Sequence, residues 1–219
     1  MQVGIISDIH ANRLALEAVL EDLPAVDALI CAGDVVGYNP WPAECVERMI
    51  ELEVPTVMGN HDRKLVTGSN FIGNQMASAG IDHARERISG EHRDWLESLP
   101  DERRMFDGQV QLVHGHPADP DHYTYPEEFG PDLLDAAPVL ILGHTHLQGA
   151  EQTAAGLVLN PGSVGQPRDG DPRAAYAVLN LADTSVQLHR VPYDIAAVRD
   201  AIAETDLPAR TGQRLVEGR

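Results

Sequence analysis

The opening of the chain constrains its fold more than any other stretch. Apolar "VGII" (3–6) is followed by Leu14, Leu16, Val19, Leu20 and Leu23 at helical spacing, and then by a second apolar run, "ALICA" (28–32). The switch from short apolar run to helical period and back reads as strand, helix, strand. Two strands joined through a helix lie parallel, so the chain begins as an α/β unit.

A second round follows, with a helix starting near Pro42 (Val46, Met49, Ile50) and a short strand "PTVMG" at 55–59. Residues 72–99 read as helix, with Trp95, Leu96 and Leu99 on the apolar face and Pro100 as the stop. Beyond residue 103 the pattern changes to short β runs, "VQLVHG", "VLILGH", "GLVLNPG", "AYAVLNL" and "SVQLHRV", divided by Gly, Pro and Asp turns. A last helix is expected over 194–204, and the polar tail from about 206 is expected to be loosely ordered. With 219 residues and no repeat, low-complexity tract or linker, the reading is one domain over 1–219.

The informative fact is positional. Successive apolar strands end in residues that bind metal or phosphate: "SDIH" (Asp8, His10), "GD" (Asp34), "GNHD" (Asn60, His61, Asp62), "VHGH" (His114, His116) and "GHTH" (His144, His146). In open sheets with parallel strands, ligands bind beyond the carboxyl ends of strands, so five such loops can converge on one cleft. A histidine pair two apart points to opposite faces on extended backbone, but at a bend both rings can meet at one place.

Two aspartates, one asparagine and four histidines exceed what a single tetrahedral ion needs, and the set has no thiolate. It suits two borderline divalent ions with one carboxylate bridging. Ions about 3.5 to 4 Å apart can hold a bridging hydroxide as nucleophile and clamp the oxygens of an in-line phosphoryl displacement.

Charge narrows the partners. Thirty-four acidic residues against sixteen basic ones leave a net charge of −18, a field that disfavours extended nucleic-acid binding and anionic membranes. Fifteen of the sixteen cations are arginine and Lys64 is the only lysine. Dense carboxylates with almost no lysine suit a halophilic habitat, where the Debye length falls to about 3 Å at 1 M salt. No window approaches the roughly 18 apolar residues of a membrane span, and "MQVGIISDIH" lacks a signal peptide's features, so a cytoplasmic location is expected. Cys31 and Cys45 fall in apolar and helical contexts and read as small buried hydrophobes.

"DIH", "GD", "GNHD", "HGH" and "GHTH", in this order, resemble the calcineurin-like metallophosphoesterase family; "NPGSVGQPRDGDPRAAYAVLNL" resembles a compact bacterial and archaeal branch of it. The resemblance implies an α/β fold with two mostly mixed β-sheets packed as a sandwich and flanked by helices. It implies that Asp8, His10, Asp34 and His146 hold one metal, and that Asp34 bridges to a second completed by Asn60, His114 and His144. His61 would stand beside the substrate to protonate the leaving oxygen or stabilise its charge, with Asp62 completing the catalytic motif and orienting its neighbours. The cofactor expected is a pair of divalent ions, Mn²⁺ first, with Fe²⁺, Zn²⁺ or Ni²⁺ as alternatives. The implied activity is a phosphodiesterase acting on a small or nucleotide-like phosphate ester. Phosphomonoesterase or protein phosphatase activity and a non-catalytic metal-binding scaffold are the alternatives. Relatives that act on phosphoproteins or dinucleoside tetraphosphates typically carry an arginine soon after "GD"; "GDVVGYNP" has none.

Four further residues are candidates for substrate contact. Arg63 follows "GNHD" and Arg168 follows "GSVGQP", and a guanidinium fork suits phosphate. Tyr38, in a loop with Asn39 and Trp41, offers a ring at the cleft mouth, and His116 lies two residues from His114. Asn160 and Ser163 read as turn caps in a loop bordering the cleft, and His83, His92, His122 and His189 as surface residues.

Overall fold

A computed structural model describes residues 1–134 and 137–219. In chain order, strand β1 (Gln2–Ile6), helix α1 (Arg13–Asp22) and strand β2 (Ala28–Cys31) form the expected parallel unit, with Val3 beside Ala28 and Ile6 beside Cys31. Helices α2 (Pro42–Glu51), α3 (Asn60–Thr67), α4 (Gln75–Arg87) and α5 (Gly90–Glu97) follow. Then come β3 (Glu102–Met105), β4 (Val110–Val113), β5 (Val139–Ile141), β6 (Gly149–Gln152), β7 (Leu157–Asn160), β8 (Ala174–Asn180) and β9 (Ser185–Val191), and finally α6 (Ile195–Ala203) and α7 (Ala209–Glu217).

The strands form two mixed sheets, one ordered β2-β1-β8-β9 and the other β3-β4-β5-β7-β6. Their facing sides bury Val3, Ile5, Ile30 and Ala32 against Val110, Leu112, Val139, Ile141, Leu157 and Leu159. On the outer face of the first sheet, Ile6 and Tyr176 pack with Leu16, Val19, Val46, Met49, Leu65, Ile81 and Leu96 from the helices. Val113, Leu140 and Val158 line the outer face of the second sheet and are covered by Phe129, Leu133 and Leu134. The parallel neighbours β1 and β2 in one sheet and β4, β5 and β7 in the other aim their carboxyl ends at a common edge.

Five local readings need correction. Residues 55–59 make a single parallel bridge, Thr56 with Cys31, not a strand; Pro55 has no N–H to donate, and by Asn60 the chain is already helical. The helix expected over 72–99 breaks at Ile88, where Ser89 caps α5 by accepting from the His92 amide at 3.1 Å. β3 and β6 escape a hydrophobic reading because these edge strands read ERRM and GAEQ. The tail from about 206 is largely helix α7, whose Leu215 joins Leu207 against Val198 and Ile202 of α6. One apolar stripe among polar residues is enough to dock a short helix. His83 is also buried, with Nε2 against the Pro40 carbonyl at 3.1 Å.

Candidate metal centre

The loops that leave β1, β2 and β5 at this edge turn abruptly. Asp8, His10, Asp34, His144 and His146 all have left-handed φ, between 48° and 68°. Such backbone costs on the order of 1–3 kcal/mol per residue and persists where the surroundings over-determine it. Here the surroundings are mutual: the amides of Asp8 and His10 donate to the carbonyls of Gly33 and Asp34, both at 2.9 Å, and the Gly143 amide donates to the His114 carbonyl at 2.8 Å. Gly59 is required by close approach, since a Cβ there would fall on the Asp34 carboxylate and backbone nitrogen.

The turns bring two donor sets together: Asp8, His10, Asp34 and His146, and Asp34, His114 and His144. Asp34 belongs to both. Its Oδ2 lies 3.6 Å from His10 Nε2 and 3.4 Å from His114 Nε2 and, although buried, has no hydrogen-bond partner among the described residues. Asp8 Oδ1 lies 3.3 Å from His146 Nε2, and Asn60 Oδ1 lies 3.2 Å from His114 Nε2.

Backbone carbonyls orient the rings. Nδ1 of His10 faces Val36 O at 3.1 Å, Nδ1 of His114 faces Ala32 O at 2.7 Å, and Nδ1 of His146 faces Gln166 O at 2.6 Å. His144 is turned the other way, with Nε2 toward Asp121 O at 3.2 Å. A carbonyl only accepts, so the nitrogen facing it carries hydrogen and the opposite nitrogen is left for a cation. His10 Nε2 and His146 Nε2 then face each other at 2.9 Å with Asp8 and Asp34 beside them. Two such nitrogens that close are stable with a cation or a shared proton between them. The donor set therefore fits two divalent ions sharing Asp34.

The electrostatics agree with neutral ring donors. Burial pulls His10 down to about 4 and His146 well below its usual value; burial and then the His114 charge take His144 down to about 3. His114 goes the other way: burial opposes its charge, but the Asp34 and Asp8 carboxylates overcome it and push the ring up to about 9. Burial likewise lifts Asp8 to about 7. Protons on His114 and Asp8 are what an arriving cation displaces.

His61 and Asp62, in the first turn of α3, take different positions. The His61 ring is 3% exposed and packed between Tyr38, Phe71 and His10, with centroids 4.7, 4.5 and 4.7 Å away. Its Nδ1 has no partner among the described residues, its amide donates to Asp34 Oδ1 at 2.8 Å, and burial keeps the ring neutral. The Asp62 carboxylate accepts four backbone amides: Asp34 at 2.9 Å and Gly59 at 3.1 Å on Oδ2, Val35 at 3.0 Å and Val36 at 3.2 Å on Oδ1. It holds the Asp34 loop through these contacts.

The residues singled out for substrate contact separate. Tyr38 is buried against His10 and His61, so its ring is a wall of the cleft instead of a free stacking face. Arg168 lies over that ring at 5.8 Å, donating through Nη2 to Tyr38 Oη at 3.3 Å and Gln166 Oε1 at 3.0 Å, with its buried Nε unpartnered among the described residues. Arg63 pairs with Asp121 and Asp101, each at 2.6 Å. His116 turns from the centre to line a surface cavity with Glu102, Arg104 and Gln111, its Nδ1 accepting from the Ala118 amide. Trp41 sits half-buried beneath Arg13. Asn160 and Ser163 brace the site through the backbone, Asn160 Nδ2 donating to Gly143 O at 2.6 Å and Ser163 Oγ to Asp8 O at 2.7 Å. Sequence reasoning passed over Phe71, which touches His61, and Tyr123, whose ring lies on His144 at 3.8 Å. The carbonyls of Ala32, Val36, Asp121 and Gln166 carry no residue-type signal at all.

Comparison with known proteins agrees with this geometry. Residues 1–184 match the calcineurin-like phosphoesterase superfamily domain. An uncharacterized protein of Methanocaldococcus jannaschii is 33% identical over 99% of this chain and 98% of its own length. The phosphodiesterase YfcE of Escherichia coli is 32% identical over 82% of this chain and 88% of its own. A metallophosphoesterase from Sphaerobacter thermophilus superposes with a TM-score of 0.87 at 37% identity, covering 100% of this chain and 99% of the other.

Proposed function

The chain belongs to the calcineurin-like phosphoesterase superfamily and is a metal-dependent phosphoric ester hydrolase, and from that premise we propose that it is a phosphodiesterase of small or nucleotide-like phosphate esters. The observation that carries the reading is the sharing of Asp34 by two buried donor sets with His61 beside them. Similarity to a phosphodiesterase over most of both chains supports the diester preference.

In this reading Asp8, His10, Asp34 and His146 hold one divalent ion, and Asp34, Asn60, His114 and His144 hold the other, with Mn²⁺ the first candidate. When bound, the pair supplies an acidified water as nucleophile and positive charge against the phosphoryl oxygens. The chain's own residues do the rest. The carbonyls behind the histidines keep each ring aimed, so little reorganisation is needed as charge develops. His61, held by Tyr38 and Phe71, offers an N–H to the departing oxygen. Asp62 keeps the Asp34 turn in register through its four amide contacts. Arg168, lying over the Tyr38 ring, would offer its guanidinium to a phosphate oxygen.

The test is hydrolysis of bis(p-nitrophenyl) phosphate by purified protein loaded in turn with Mn²⁺, Ni²⁺, Fe²⁺ and Zn²⁺. Turnover with at least one metal, abolished by a chelator, is expected. Absence of p-nitrophenolate across all four would overturn the proposal. Among the described residues no helix is long and apolar enough to cross a membrane.

A further inference from the structure

Residues 116–125 leave β4 just after His114 and are tied to the metal centre. The Asp121 carbonyl accepts from His144, the Asp121 carboxylate pairs with Arg63, and Thr124 Oγ1 donates to the Gly115 carbonyl at 3.1 Å. Within this segment the Tyr123 ring lies on the His144 ring, 3.8 Å between centroids and 27° between planes. Tyr125 continues outward, 18° from parallel to Tyr123 at 6.2 Å. The two rings are 44% and 46% exposed, whereas Tyr38 and Tyr176 are buried. Near-parallel rings thus run from one end of the metal centre into solvent, leaving aromatic surface in water beside it.

His61 lies at a different part of the site, among Tyr38, Phe71 and His10, and Tyr123 is not among its ring neighbours. In an in-line displacement the leaving oxygen belongs to His61, so the substituent that stays on phosphorus is free to extend along His144. Building on the phosphodiesterase reading, we infer that Tyr123 and Tyr125 form a stacking platform for a planar ring on that retained substituent. The favoured substrates are then phosphodiesters carrying a nucleobase or another aromatic ring there. Every base has a π-face, so such a platform selects for planarity and tolerates different bases.

Two esters with the same leaving group isolate this contribution: the p-nitrophenyl ester of thymidine 5′-phosphate and methyl p-nitrophenyl phosphate. The Mn²⁺-loaded wild type should show a KM about tenfold lower or more for the thymidine ester, the range base–aromatic stacking provides. The double variant Tyr123→Leu/Tyr125→Leu should lose that preference while Tyr123→Phe/Tyr125→Phe keeps it. No preference in the wild type, or a preference that survives the leucines, overturns the platform. Calorimetry provides a readout independent of turnover, comparing AMP with ribose 5-phosphate on metal-loaded protein. AMP binding about tenfold tighter, and lost in the leucine variant, upholds the platform; equal binding overturns it. If neither ester is cleaved with any metal, the phosphodiesterase reading falls, and the calorimetric comparison still decides whether the tyrosines hold a base.

Discussion

Replacing Asp62 with asparagine separates a brace from a catalytic group. The fully buried carboxylate receives four backbone amides, two on each oxygen, from Gly59 and from Asp34, Val35 and Val36. An asparagine of the same shape keeps one acceptor oxygen and turns an NH₂ toward two amides that are themselves donors. Two buried N–H groups are then unsatisfied, at about 1–3 kcal/mol each, or about 2–6 kcal/mol together. For a chain of this size that is a fall in Tm of roughly 5–20 °C, against a total stability of about 5–15 kcal/mol. The damage is local to Asp34, which both donor sets share, so both ions should be lost together. Equilibrium unfolding with and without Mn²⁺, together with metal content per chain, measures both effects. A variant that keeps its Tm and two ions yet loses kcat would show that Asp62 acts on substrate, and the bracing argument would be wrong.

The complementary substitution is His61→Ala, which removes no donor from either set and should cut kcat by about 10²- to 10⁴-fold with two ions retained; metal loss would contradict its placement beside the leaving group. Metal uptake should release protons, since His114 is held near 9 and Asp8 near 7, both above their usual values. These protons favour the cation-free fold at low pH, so apparent affinity should rise with pH and level off above about 9. Calorimetry at pH 8 in buffers of different ionisation enthalpy reads the released proton directly, and buffer-independent heats would refute it. With a net charge of −18, the protein should be measurably more stable in molar salt than in dilute buffer. Identical unfolding curves in the two would remove the case for a halophilic habitat.

Local signals served the chain well where one element buries one kind of face. β1, α1 and β2 were legible because continuous apolar runs flank a helical period, and β8 is a seven-residue strand buried along most of its length. The edge strands β3 and β6 were not legible, because a strand paired on one side and facing water needs no apolar pattern. Helix α7 was missed for a related reason: its helicity depends on docking Leu215 against α6, and most of its other residues are polar or small. Arg63 shows the limit for single side chains. Its position after "GNHD" suggested a phosphate; the ion pairs it makes with Asp101 and Asp121, 38 and 58 residues away, carry no local signal.

Sequence alone determined which donors exist and in what order they leave the strands, because donor chemistry is a property of residue type and strand ends are marked by local turns. Only the tertiary structure decided which ring nitrogen of each histidine faces the centre, since the carbonyl opposite belongs to a residue 20 to 82 positions away. Tertiary structure alone also set Asp62 against the Asp34 turn and laid Tyr123 on His144. Such orientations depend on contacts between distant segments, and no local periodicity records them.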